Sequence, residues 1–144
     1  MRASPGTHAR NESASLQRQL RTGLDEANLA DDRTKQAEQR QALLTAHVSP
    51  GKTVFLKSIL SAQPGTGADN QRQRILAALA KFPLTTLEVR YGLDVLEVAA
   101  RIWELRHLYG CDIDKIMLDD VAENGKAHRV ALYYKPIMVQ EVSL

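Results

Sequence analysis

Several groups of residues in this 144-residue chain combine types and spacings that could do chemistry. Ala46-His-Val-Ser-Pro-Gly51-Lys52-Thr53 follows a relaxed phosphate-loop pattern, with Ala where the first Gly belongs. Such a loop works as a backbone cradle between a buried strand and a helix, with Lys52 on the phosphates and Thr53 on Mg²⁺. Residues 36–41 upstream are polar and helix-prone, and no apolar strand ends in an Asp that could hold the metal. The pattern therefore reads as a capped turn into a short helix. His8, His47, His107, His128 and Cys111 lack ligand spacing, so no metal or other cofactor is expected. Cys111 falls where a helix meets a strand and reads as a small core residue. Asp112, Asp114, Asp119, Asp120 and Glu123 flank a hairpin and read as a solvated rim that keeps an edge from pairing. No nucleophile–base pair stands out, and an enzyme is not expected.

The best functional candidate is the segment 94–109, whose apolar residues Val95, Val98, Ile102, Leu105 and Tyr109 recur at three- and four-residue spacing. Turning about 100° per residue from Val98, the outward face carries Leu96, Glu97, Ala100, Trp103, Glu104 and His107, with Arg101 at its edge. Offered to a DNA major groove, Arg101 can take guanine O6 and N7, Glu97 can accept from cytosine N4, and Leu96 can touch a thymine methyl. The small Ala100 lets the helix approach closely. The same face has a second reading. Glu97 and Glu104 repel phosphates, Leu96 and Trp103 suit a protein contact, and Arg101 can pair with a nearby carboxylate.

Signals at both ends predict where this helix starts and stops. Asp94 with Glu97 three positions on is the Asp form of a capping box, and Gly110 suits the left-handed position that ends a helix. Before it, residues 84–92 predict a short helix capped by Thr85 or Thr86 and stopped by Gly92. Before that, Ile75, Leu76 and Leu79 predict a helix over 71–82, ended by Pro83. A short helix joined to a longer one by a few residues is the pattern of a helix-turn-helix. Beyond Gly110, Ile113, Ile116 and Leu118 suggest one strand. Val130, Leu132 and Tyr134 suggest another with clean alternation, and Asn124-Gly125 is the turn signal inside a loop over 119–127. Three helices and a hairpin make the winged variant. On that scaffold Thr85 and Thr86, Arg72 and Arg74, and Lys126 and Arg129 at the hairpin are the expected phosphate contacts.

The segment also resembles a small winged helix-turn-helix family common in bacteriophage and prophage proteins. The matching residues are Gln73-Arg-Ile-Leu, Pro83-Leu-Thr-Thr-Leu-Glu, Ala99-Ala-Arg-Ile, Glu104-Leu-Arg, and His128-Arg-Val-Ala followed by Tyr133. The likeness covers roughly residues 71–135. It implies DNA binding and a regulatory role in a mobile element. One departure stands out: Leu96-Glu-Val98 replaces the Pro-containing lead-in expected before Ala99-Ala100.

The fold class expected is therefore α+β, mostly α: a winged helix-turn-helix preceded by a helical or partly disordered N-terminal arm. Residues 1–14 are polar and predicted disordered, and 15–62 form the arm. Residues 63–69 are a Gly/Pro linker, 70–135 the winged domain and 136–144 an apolar tail needing a surface to pack on. The arm, with Leu16, Leu20 and Leu24 four apart, reads either as a self-association or partner-docking segment or as a semi-disordered leader. No run approaches the ~20 apolar residues of a membrane helix, no secretory signal is visible, and one cysteine fits a reducing compartment, so a cytoplasmic protein is expected. Residues 70–144 hold ten basic and ten acidic side chains, so this half is formally neutral, unlike most DNA-binding domains. The function expected is sequence-specific binding of double-stranded DNA in transcription regulation, as a homo-oligomer through the arm. The alternative is a protein-interaction module on a winged-helix scaffold.

Overall fold

In the computed structural model the backbone is described for residues 6–121 and 124–142, and side chains for 26–120 and 124–139. The chain forms two compact units, Met1–Gln39 and Arg40–Leu144. The first contains most of helix α1 (Gly6–His47), which begins inside the segment predicted to be disordered. Its described residues 26–39 are exposed around the whole circumference, with one Asp31–Lys35 pair at 3.2 Å. The second unit begins well ahead of the Gly/Pro linker expected to bound it. It holds the last turns of α1, then α2 (Lys52–Ala62), α3 (Ala68–Leu79), the two-residue strand β1 (Leu84–Thr85) and a π-helical turn, Glu88–Gly92. Helix α4 (Val98–His107), strands β2 (Asp114–Val121) and β3 (Ala127–Tyr134), and α5 (Pro136–Val142) complete it.

The three strands are antiparallel in the order β1-β3-β2. Ile116 lies opposite Leu132 and Leu118 opposite Val130, so these four share one face of the sheet. They pack with Leu43 from α1 and Val139 from α5. Ala131 and Tyr133, on the other face, join the main core of Leu56 and Ile59 from α2, Ile75 and Leu79 from α3, and Val98, Ile102 and Leu105 from α4. The clean alternation expected of β3 is therefore absent: Val130 to Tyr133 are all buried because the sheet is covered on both sides. That second layer explains why the apolar tail and the end of the arm belong to this unit. Arg40 also donates to the Met117 carbonyl at 3.2 Å. The strands reach further than expected, taking Asp119 and Asp120 into β2. The turn keeps Gly125 at φ +80°, with the Lys126 N–H donating to Asn124 Oδ1 at 3.0 Å.

One buried side chain joins the helices to the turn before α4. Arg74, 1% exposed, donates from Nε to the Leu93 carbonyl at 2.8 Å and from Nη1 to those of Gln63 and Gly65 at 2.7 and 2.6 Å. Its Nη2 reaches the Asp94 carbonyl at 3.4 Å. The planar fork of guanidinium suits several carbonyls at once, which an ammonium cannot match. Arg74 is thus a structural clamp, not the surface phosphate anchor expected of it.

A second polar cluster fixes the short helix before α4. Thr85 and Glu88 form a reciprocal capping box: the Glu88 N–H donates to Thr85 Oγ1 at 3.1 Å, and the Thr85 N–H donates to Glu88 Oε1 at 2.9 Å. Lys52, buried, donates to the same carboxylate oxygen at 2.8 Å. His47 Nδ1 lies 3.0 Å from the Lys52 ammonium and 3.4 Å from Glu88 Oε1. Burial works to raise the Glu88 carboxyl, but its contacts with His47, Lys52 and the Thr85 N–H outweigh this and hold it at about 2. Burial pushes the Lys52 ammonium down despite the neighbouring carboxylate, so part of the gain on one partner is lost on the other. The phosphate-loop pattern resolves here: Gly51 turns α1 into α2, and Lys52 serves Glu88.

Two stability measurements follow from these clusters. Arg74→Lys should lower the unfolding free energy in a urea titration by about 2–4 kcal/mol, because several buried carbonyls lose their donors. Arg72→Lys should cost less than Arg74→Lys, because one of its partners, Asp69, is 83% exposed and the pair is screened by water. The Glu88 carboxyl is depressed on folding, so its contribution is complete above the ordinary value of 4.5 and is lost as pH falls from there toward 2. Stability should drop by roughly 2 kcal/mol across that window, and Glu88→Gln should flatten that part of the profile.

Candidate nucleic-acid interface

Helix α4 is shorter than its sequence signals suggest. It begins at Val98, and Glu97 at the cap position makes no side-chain cap bond. Asp94 does not cap it. Instead Asp94 takes a left-handed conformation, φ +54°, which turns the chain between the π-helical turn and α4. This conformation is unfavourable for a residue with a Cβ, and the Arg74 bond to its carbonyl helps hold it. At the other end Gly110, φ +65°, reverses the chain as expected, so that the Cys111 N–H reaches the Leu105 carbonyl at 2.8 Å. Tyr109, expected in the apolar stripe, is instead exposed and lies under the Arg72 guanidinium at 4.9 Å. Val95, Val98, Ile102 and Leu105 are buried as their spacing predicts.

The outward face of α4 is rotated from the one expected. Glu104 is gripped from α3 by Arg72 Nη1 at 2.6 Å and within α4 by Arg101 Nη2 at 3.1 Å. Arg72 also pairs with Asp69. This network covers one flank of α4 and leaves Arg101 only 18% exposed and Ala100 half-buried. The opposite flank is open. Ala99, Trp103 and Arg106 stand there at spacings of four and three, with Leu96 (71% exposed) just ahead of the helix. Trp103 is 55% exposed and packs against the His107 ring at 4.9 Å between centroids.

The other expected contact residues fall in different settings. Thr85 is 1% exposed, and its hydroxyl is taken by the Glu88 N–H, so the capping box closes that side chain to a phosphate. Thr86 is half-buried. Glu97 is exposed just before α4, and Lys126 and Arg129 are exposed on the hairpin. Ala99 and Arg106 escaped the sequence reading because they lie about 100° and 80° from Val98, which a simple wheel assigns to the core side. Only the position of α3 shows that this flank is bare.

A groove of about 600 Å³ lies between α2 and the π-helical turn, lined by Leu56, Leu60, Leu87 and Tyr91 with Lys57 and Asp120. Its carboxylate Glu88 is already engaged by Lys52. Among the described residues no group of three or more His, Cys, Asp or Glu could hold a metal ion. Cys111 packs at the edge of the helical core. No described helix is long and apolar enough to cross a membrane.

Residues 70–135 match the family model described as a winged helix-turn-helix domain. No curated protein and no solved structure matches the chain. The helix pair α3 and α4 with the capped turn between them, the β2–β3 hairpin and β1 closing the sheet agree with that match. Residues 70–135 of this chain match that model and take the α+β fold of a winged helix-turn-helix.

Proposed function

We propose that this chain binds double-stranded DNA sequence-specifically, as a non-enzymatic regulator of transcription, with α4 entering the major groove. The observation that carries this reading is the bare flank of α4 in a fold whose second helix of the pair meets that groove. Leu96, Glu97 and Ala100 lie at or just before the N-terminal half of α4, the part that approaches base edges. Thr86 beside the capped turn, Arg106 at the end of α4, and Lys126 and Arg129 on the hairpin are the phosphate contacts. Arg101 reads a base only by leaving Glu104. Resemblance to phage and prophage proteins favours a role in a mobile element. The arm supports self-association: a helix exposed on all sides gains its stability from a partner, and a second copy supplies one.

A protein-docking role is the second reading. It is favoured by the formal neutrality of residues 70–144 and by exposed Leu96, Trp103, Leu108 and Tyr109 around α4. Ionic strength separates the two. DNA binding through several phosphates falls steeply with salt, whereas an apolar protein contact does not.

Fluorescence anisotropy on labelled duplexes over a salt series is the direct test. Arg106→Ala and Lys126→Ala should each weaken binding alike on preferred and random duplexes and reduce the salt slope by about 1. A sample that ignores every duplex at low ionic strength would falsify the DNA reading. Sedimentation of the intact 16.0 kDa chain should give a mass near twice the monomer, and a monomer at micromolar concentration would remove the role assigned to the arm.

A further inference from the structure

We infer that the duplex is selected chiefly through thymine methyl groups, touched by Leu96, Ala99 and Trp103, so that the preferred site is rich in T·A pairs. This rests on the DNA-binding reading and narrows it. The first support is what the open flank lacks. Base-specific polar readout in the major groove uses Arg or Lys on guanine, Asn or Gln on adenine and Glu or Asp on cytosine, and here only Glu97 is free for such a contact. From Leu96 to Trp103 the chain contains no Lys, Asn or Gln, and its one Arg is Arg101, held by Glu104 on the covered flank.

The second support is what the flank offers. Leu96, Ala99 and Trp103 are exposed and expose apolar side-chain surface. The C5-methyl of thymine is the apolar feature of the base edges in that groove. Burying it against such side chains gains free energy with no loss of hydrogen bonds to water. Glu97, exposed beside Leu96, is repelled by the guanine acceptors O6 and N7 and can accept from cytosine N4, so it admits a cytosine at its own position and leaves the neighbouring positions to the apolar side chains. Arg106 and His107, in the last turn of α4, lie beyond the part of a recognition helix that reaches base edges and suit the backbone. The cations that do exist here are therefore placed to hold the duplex, and apolar contact is left to discriminate.

The test uses the full chain and a random duplex pool. Selection should enrich sites with clustered T·A pairs. The best site is then remade with deoxyuridine for thymidine, one position at a time, which removes only the methyl and leaves base pairing intact. Binding should weaken about fourfold for each contacted methyl removed. Trp103→Ala and Leu96→Ala should shrink that penalty, and Arg101→Ala should leave the T·A preference in place. Deoxyuridine duplexes bound as tightly as the parent would overturn the inference while leaving DNA binding intact. So would a selected guanine-containing site whose preference vanishes in Arg101→Ala. The deoxyuridine arm changes only the DNA, so it decides the matter even where a protein variant fails to fold. If no duplex is enriched and the chain instead binds a protein through Trp103 regardless of salt, both readings fall together.

Discussion

The fold around the candidate interface depends on a cation that, among the described residues, has no carboxylate partner. Arg74 is sealed inside the helical unit and donates only to backbone carbonyls of two segments, the loop before α3 and the turn before α4. Neither segment has secondary structure to use those carbonyls, and a buried carbonyl without a donor is costly. The guanidinium in turn needs a full set of acceptors to tolerate burial. Each makes the other permissible. The consequence for function is direct, because the turn that Arg74 holds sets where Leu96 and Glu97 stand relative to α4.

A similar reciprocity links the short helix to the body of the unit. The Thr85–Glu88 box satisfies backbone N–H groups locally, while the same carboxylate takes the Lys52 ammonium from α2. Behind it the sheet acts as a wall with two faces. The helical core lies on one, and the end of α1 with α5 on the other. A three-stranded sheet with one strand of two residues has little stability of its own. Cover on both faces explains how so short a β1 persists, and why the winged segment recruits residues far outside 70–135.

Internal use of cations shapes the exposed surface. Arg72, Arg74 and Arg101 all face inward onto carboxylates or carbonyls, although sequence alone suggests phosphate or base contacts for them. What remains outside on α4 is apolar with a cation near its end, an unusual balance for the groove-entering role proposed for it. On the proposed reading, such a surface would trade electrostatic attraction for shape and methyl contact. It also explains why a docking role stays in competition with DNA: the same indole and leucine would suit either.

The sequence by itself determined the order of the helices and of the hairpin in residues 70–135, because apolar spacing, Pro83 and the Gly110 and Gly125 positions are local signals that the structure obeys, whereas strand β1 at Leu84–Thr85 exists only through its pairing with β3. It also located the one helix whose outward side chains carry the interest. The start of that helix was misplaced, since Asp94 has the chemistry of a cap but lies in a left-handed turn stabilised by Arg74, a contact nineteen and twenty residues away in the chain. The alternation of β3 misled for the same reason: periodicity records one buried face, and here distant segments bury both. Which flank of α4 is bare was decided only by tertiary structure. A helical wheel knows the angle of each residue but not which neighbours stand beside it, and the Arg72–Glu104–Arg101 network covers the flank that the wheel left open.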